Sequence, residues 1–109
     1  MQGFGGMNFG KLLKDAQSMQ KKMAQVQEEL KERVVEASSG GGVVTVKVNG
    51  AQEVLDIKID KDVINPDDKA TLEELIIAAI NEGIKKSRKM MEAEISKITG
   101  GLNIPGLLQ

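Results

Sequence analysis

The side chains with the clearest chemical pattern in this sequence are cations. Lys11, Lys14, Lys21 and Lys22 share the first 27 residues with a single acid, Asp15, and Lys85, Lys86, Arg88 and Lys89 gather near the other end. Residues 1–27 carry a formal charge of +3, residues 28–82 carry −7 and residues 83–109 carry +3, so the net charge of −1 conceals a segregation. Ammonium and guanidinium groups repeated over tens of ångströms suit a polyanion, because each neutralises a phosphate and releases counterions. A solvated helix face can look the same, and a pI of about 5.5 lacks the basic excess of a typical nucleic-acid domain.

Little other chemistry is available. The 109 residues contain no Cys, His, Trp or Tyr, and the two aromatic rings are Phe4 and Phe9. Thiol and imidazole nucleophiles, imidazole bases and soft zinc sites are thereby excluded, as are disulfides. Asp60, Asp62, Asp67 and Asp68 lack the central Gly and terminal Glu of a calcium loop and read as a solvated acidic segment. Gly40-Gly41-Gly42 is followed by neither Lys-Ser nor Lys-Thr, and a strand rather than a helix comes next, so it reads as a hairpin turn and not a phosphate loop. Glu73 and Glu74 fall in the first turn of a helix, where the macrodipole favours them without catalysis. No catalytic residue, metal ligand or cofactor site is expected. Helix-turn-helix, zinc-finger, RRM and KH signatures are absent and aromatics for base stacking are scarce, so any duplex binding would be driven by shape and charge, with weak sequence readout. No apolar run approaches the ~20 residues that span a bilayer, and the glycine-rich start, residues 1–6, is no signal sequence; the expected location is the cytoplasm, without membrane association.

The elements that must carry these charges follow from periodicity. Phe9, Leu12, Ala16, Met19, Met23, Val26 and Leu30 alternate in steps of three and four, predicting a helix over 8–33 with Asn8 as N-cap and a narrow seam suited to another long helix. The four first-helix lysines lie within an arc of about 100° on the side away from that seam. Val34–Ala37 reads as a strand, Ser38–Gly42 as a turn, and Val44, Val46 and Val48 alternate with polar residues. Asn49-Gly50 supplies a tight turn with positive dihedrals, after which Leu55, Ile57 and Ile59 alternate with Asp56, Lys58 and Asp60. The result over 34–60 is a three-stranded antiparallel meander with one apolar face. A loop through Pro66 follows, then Thr71 with Glu74 as a capping box opening a helix over 71–98. Lys85, Arg88 and Lys89 fall opposite the apolar Ile76, Ile80 and Met91 of that helix. Residues 1–7 and 100–109 are expected to be flexible ends, the latter mobile or docked on a partner.

Both helices outrun the sheet. The second is about 40 Å long and strands of this size reach only about 20 Å, so a compact monomer cannot hide the Leu12, Ala16, Met19, Met23, Val26, Leu30 seam. A symmetric homodimer sharing one core is the physical expectation.

The ordered motifs resemble the YbaB/EbfC family of bacterial nucleoid-associated proteins over nearly the whole chain. They are the Lys-, Gln- and Met-rich first helix through Met19-Gln20-Lys21-Lys22-Met23 to Leu30, then Gly40-Gly41-Gly42, Val48-Asn49-Gly50 and Ile57-Lys58-Ile59-Asp60. Leu72-Glu73-Glu74-Leu75-Ile76, Ala78-Ala79-Ile80-Asn81-Glu82 and Thr99-Gly100-Gly101 with Pro105-Gly106 complete the set. The resemblance implies an α+β, α-β-β-β-α protomer in an intertwined, tweezer-like homodimer that binds double-stranded DNA in the cytoplasm, at the nucleoid. Gly83 stands where the family pattern leads one to expect Ala, which bears on the rigidity of the second helix. The expected function is non-catalytic DNA binding through Lys11, Lys14, Lys21, Lys22, Lys85, Lys86, Arg88 and Lys89, affecting nucleoid organisation and gene expression. The competing reading is a dimeric adaptor that grips another protein with its helix arms or tail.

Overall fold

The structure, a computed structural model, describes residues 9–100. The elements run α1 (Phe9–Glu32), β1 (Val34–Ser39), β2 (Val44–Asn49), β3 (Val54–Ile59) and α2 (Lys69–Ile98), in the expected α-β-β-β-α order. The predicted cap Asn8 and the tail from Gly101 onward lie outside the described residues.

The sheet is antiparallel in the order β1-β2-β3, with Ala37 opposite Val46 and Val46 opposite Ile57. Directly opposed residues share a face, so Val35, Ala37, Val44, Val46, Val48, Ile57 and Ile59 form one apolar surface. Helix α2 lies on the β1 and β2 part of it. Ala37, Val44, Val46, Val48 and Ala79 make the buried core, flanked by half-buried Leu72, Leu75, Ile76 and Ile80.

The approach is close enough to dictate a residue type. A Cβ on Gly83 would stand 2.7 Å from Val48 Cγ2 and 3.0 Å from Val46 Cγ2. Gly83 therefore trades intrinsic helix propensity for contact between α2 and the central strand; it marks close packing and not a weak point in the helix. Two hydroxyls pin the helix along its length: Ser39 Oγ donates to Leu75 O at 2.6 Å, and the fully buried Ser87 Oγ donates to Asn49 O at 2.6 Å.

Three local expectations are corrected. Helix α2 starts at Lys69, not Thr71: a 3-10 turn at Pro66–Asp68 leads into it, and the Thr71 hydroxyl donates to the Asp68 carboxylate at 2.8 Å instead of forming a capping box with Glu74. The segment expected as plain loop thus holds two 3-10 turns, the other at Lys61–Val63, each opened by a side chain that accepts a backbone amide: Asp60 from Asp62 N–H and Asn65 from Asp67 N–H. In the β2–β3 connection the positive dihedral belongs to Gln52 (φ 65°), and Asn49 organises the turn by accepting the Ala51 and Glu53 amides on Oδ1, both at 3.0 Å.

The third strand is also less buried than its alternation suggests. Between Lys47↔Asp56 and Val48↔Val54 the register shifts by one, inserting Leu55 as a bulge residue. Helix α2 does not reach over this strand, leaving Val54, Leu55 and Ile57 at 44%, 53% and 38% exposure.

Helix α1 is barely part of the protomer's core: Leu30 is its one buried residue. The radius of gyration is 20.8 Å and the longest dimension 75 Å, against about 13 Å for the radius of a compact chain of this length. Helix α2 is only about 45 Å long, so α1 runs past it as an arm and does not lie alongside.

Two outcomes follow. Gly83→Ala lowers the denaturation midpoint by the equivalent of about 1–3 kcal/mol despite better helix propensity, and Gly83→Val by more; a stabilised Gly83→Ala would refute the close approach. The second concerns the ion pair between Arg33, just past the end of α1, and Glu94 on α2. Glu94 has its carboxyl held below the usual range by hydrogen bonds from Arg33 and then Lys97. A depressed folded-state value gives a contribution present above the ordinary glutamate range and lost as pH falls through the folded value. Protection factors of the amides in the last turn of α1, with the intrinsic pH dependence of exchange removed, should fall on acidification in that window in the parent chain, and Glu94→Gln should remove the dependence.

Candidate nucleic-acid interface

What positions the lysines of α1 is the junction at its C-terminal end. A helix leaves its last carbonyls without intrahelical donors, and the Gly50 amide fills that role here, donating to Leu30 O at 2.8 Å and Arg33 O at 3.0 Å. A Cβ at Gly50 would meet Leu30 O at 2.6 Å, so this position is glycine for the sake of the helix packed against it. Arg33 Nη1 then reaches Glu94 Oε1 on α2 at 2.6 Å, and Lys97 donates to the same oxygen at 3.1 Å. Leu30, Ala51 and Met91 line a small apolar pocket beside the junction.

From Leu30 the arm carries its cations outward, Lys22 about 12 Å and Lys11 about 29 Å along the axis. Lys11, Lys14, Lys21 and Lys22 are all exposed, with Asp15 the one acid among residues 9–27. On α2, Lys85, Arg88 and Lys89 are exposed within about 9 Å of Met91 along the axis, so the second set begins where the first helix docks. The two sets thus flank one junction.

Two features of the α2 set escaped the reading by net charge. Lys86 turns toward the sheet and donates to Glu36 O on β1 at 2.9 Å, so it is tied to the edge strand while its neighbours point to solvent. Glu92 stands one turn beyond Arg88 on the same helix face, and Glu82 one turn before Lys85 and Lys86, bounding the patch with acids. The α1 face has the sparser acidic content and the greater reach. Of the seam residues, Leu12 and Met19 are 45% and 39% exposed, Ala16 is exposed, Met23 and Val26 are half-buried, and Leu30 is buried in the junction.

The described residues contain no group of three or more acids, His or Cys that could hold a metal, no buried polar side-chain atom without a partner, and no helix long and apolar enough to cross a membrane.

Comparison with known proteins agrees with the pattern of the residues. A protein of Acetivibrio thermocellus called nucleoid-associated protein is 56% identical over 106 residues, covering 96% of this chain and 93% of that one. Another of the same name from Syntrophobacter fumaroxidans is 53% identical over 95 residues, covering 87% and 86%. The fold superposes on the crystal structure of an uncharacterized protein from Helicobacter pylori with a TM-score of 0.77 and 29% identity, over 86% of this chain and 99% of that one. The family model described as the YbaB/EbfC DNA-binding family matches residues 4–102. With the helix–sheet–helix order, the glycine contacts and the lysine-bearing arm all in place along that match, the chain belongs to the YbaB/EbfC DNA-binding family.

Proposed function

We propose that this protein is a non-catalytic, nucleoid-associated, homodimeric binder of duplex DNA that holds the phosphate backbone with the exposed lysines of α1 and the cations of α2. The observation that carries the reading is the projecting α1, whose solvent side presents Lys11, Lys14, Lys21 and Lys22 over about 17 Å, in a chain of this family. Base recognition needs side chains that match edge patterns in a groove, and this surface offers ammonium groups on a smooth helix, so affinity is electrostatic and sequence readout weak. Lys85, Arg88 and Lys89 supply a second contact near the junction, with Lys86 on its sheet side.

The homodimer belongs to the same reading. A 24-residue helix with one buried side chain cannot draw its order from its own protomer, because most helical stability in proteins comes from packing of an apolar face. The seam of Leu12, Ala16, Met19, Met23 and Val26 is that face, and a second copy is the partner that covers it symmetrically. Two copies display two lysine arms, which doubles the phosphates engaged and permits bridging of two duplex segments. The cellular setting is the cytoplasm, at the nucleoid, where such contacts affect chromosome packing and gene expression.

Fluorescence anisotropy on unrelated duplexes across a salt series tests the reading. Similar affinities on all duplexes are expected, with log K falling linearly in log salt at a slope of about 0.9 per phosphate neutralised. Replacing one α1 lysine by Ala, which removes two ammonium groups per dimer, should weaken binding uniformly and reduce the slope by about 2, and reversing all four to Glu should abolish binding while the dimer persists. Absence of binding at low salt would refute the proposal and favour an adaptor that uses the arms to grip another protein.

A further inference from the structure

The charge of α1 runs against the helix that carries it. The macrodipole favours acids at a helix's N-terminal end and cations at its C-terminal end. Residues 9–22 nevertheless hold four lysines and one aspartate, +3, with no acid in the first turn, and residues 23–32 hold Glu28, Glu29 and Glu32 against Lys31, −2. Lys31 lies 3.4 Å from Glu28, and Arg33 just beyond is engaged with Glu94. Among the described residues Glu29 and Glu32 have no cation partner, so two unpaired carboxylates sit in the last turn, at the negative end of the dipole. Helix stability does not account for this polarity. A charged ligand that meets the outside of the arm does.

The acids continue the face of the lysines. Glu28 and Glu29 follow Lys21 and Lys22 by seven residues, two turns, which returns them to the same side within about 20°, and Glu32 falls between them in angle. All three are exposed. The solvent face of the arm therefore changes sign once along its length, between Lys22 and Glu28, about 9 Å apart along the axis. A duplex presents one phosphate per strand every ~3.4 Å of its own axis. Laid lengthwise on the arm, it would bring phosphates over the glutamates within about three steps of those held by Lys21 and Lys22. Laid across the arm, it meets the cations alone. Lys11 and Lys14 then stand on one side and Lys21 and Lys22 on the other, with the small Ser18 between them, and their span of about 17 Å is enough for one groove of about 12 Å with the phosphate rows that border it.

We propose that the duplex crosses α1 over residues 11–22, and that Glu28, Glu29 and Glu32 are positioning residues: an electrostatic stop that keeps it from turning along the arm toward the junction. This rests on the DNA-binding reading above and adds where the duplex lies. Repulsion selects a pose as attraction does, because every misplaced arrangement sets like charges together. The cations of α2, which begin at the junction beyond the stop, meet a separate run of phosphates.

The test removes the unpaired acids without changing their size. Glu29→Gln with Glu32→Gln takes two charges from the stop, and Glu73→Gln with Glu74→Gln takes two from exposed sites about 30 Å along α2 from Glu94. In fluorescence anisotropy at low salt on a labelled duplex of about 30 base pairs, the arm variant should bind about tenfold tighter than the parent, with a steeper salt slope and more base pairs occluded per protomer at saturation. The α2 variant should change affinity by less than about twofold. Equal gains from the two variants would reduce the acids to bulk charge and overturn the stop; so would an arm variant whose slope and occluded length match the parent's, with duplex binding itself left standing. A parent that does not bind the duplex at low salt would overturn the DNA-binding reading and the stop with it. Circular dichroism confirms that each variant keeps the parental fold.

Discussion

Everything that projects from this protomer hangs on the amide of Gly50. One N–H serves two carbonyls at the end of α1, and it can do so only because the residue has no side chain to hold the helix away. The turn that presents this amide is itself fixed from inside, by the Asn49 side chain accepting two amides and by Ser87 donating to the Asn49 carbonyl. A chain of polar contacts therefore runs from α2 through the hairpin to α1, in a place where the apolar core between α2 and the sheet has already ended. The Arg33–Glu94 pair adds a second tether, but at half-exposed guanidinium its worth is modest beside the satisfied backbone.

The protomer divides into a packed body and an unpacked arm for a reason of area. Helix α2 can cover two strands, not three, and it chooses β1 and β2 because Gly83 lets it sink onto Val46 and Val48. What it leaves behind, the face of β3 and the seam of α1, is apolar surface of two different shapes: one a strand edge, the other a helical stripe. In the homodimer proposed above, a second copy would cover the helical stripe.

Much of this was legible in the sequence wherever the pattern was regular. The three-and-four spacing of α1, the valine alternation of β2 and the lysine faces depend only on period, and period survives folding. The misreadings came from positions whose meaning is set by a contact distant in sequence. Gly50 looked like a turn residue and Gly83 like a defect, yet each is a glycine because another element presses on it. Thr71 carried a capping signature that the Pro66–Asp68 turn overrode by starting the helix earlier. The bond that the exposed Lys86 ammonium donates to the Glu36 carbonyl also depends on a distant contact and could not be read from the charge pattern. Glu92 and Glu82 were hidden by summing charge over a segment instead of over a face.

The absence of histidine and cysteine, first noted as a limit on catalysis, has a second meaning for a surface made of lysines and carboxylates. The side chains whose ordinary pKa values lie nearest neutrality, imidazole and thiol, are both missing from the sequence. A change of acidity near neutrality therefore meets no histidine or cysteine through which to alter the charge of that surface. Ionic strength and covalent modification of the lysines remain as its controls.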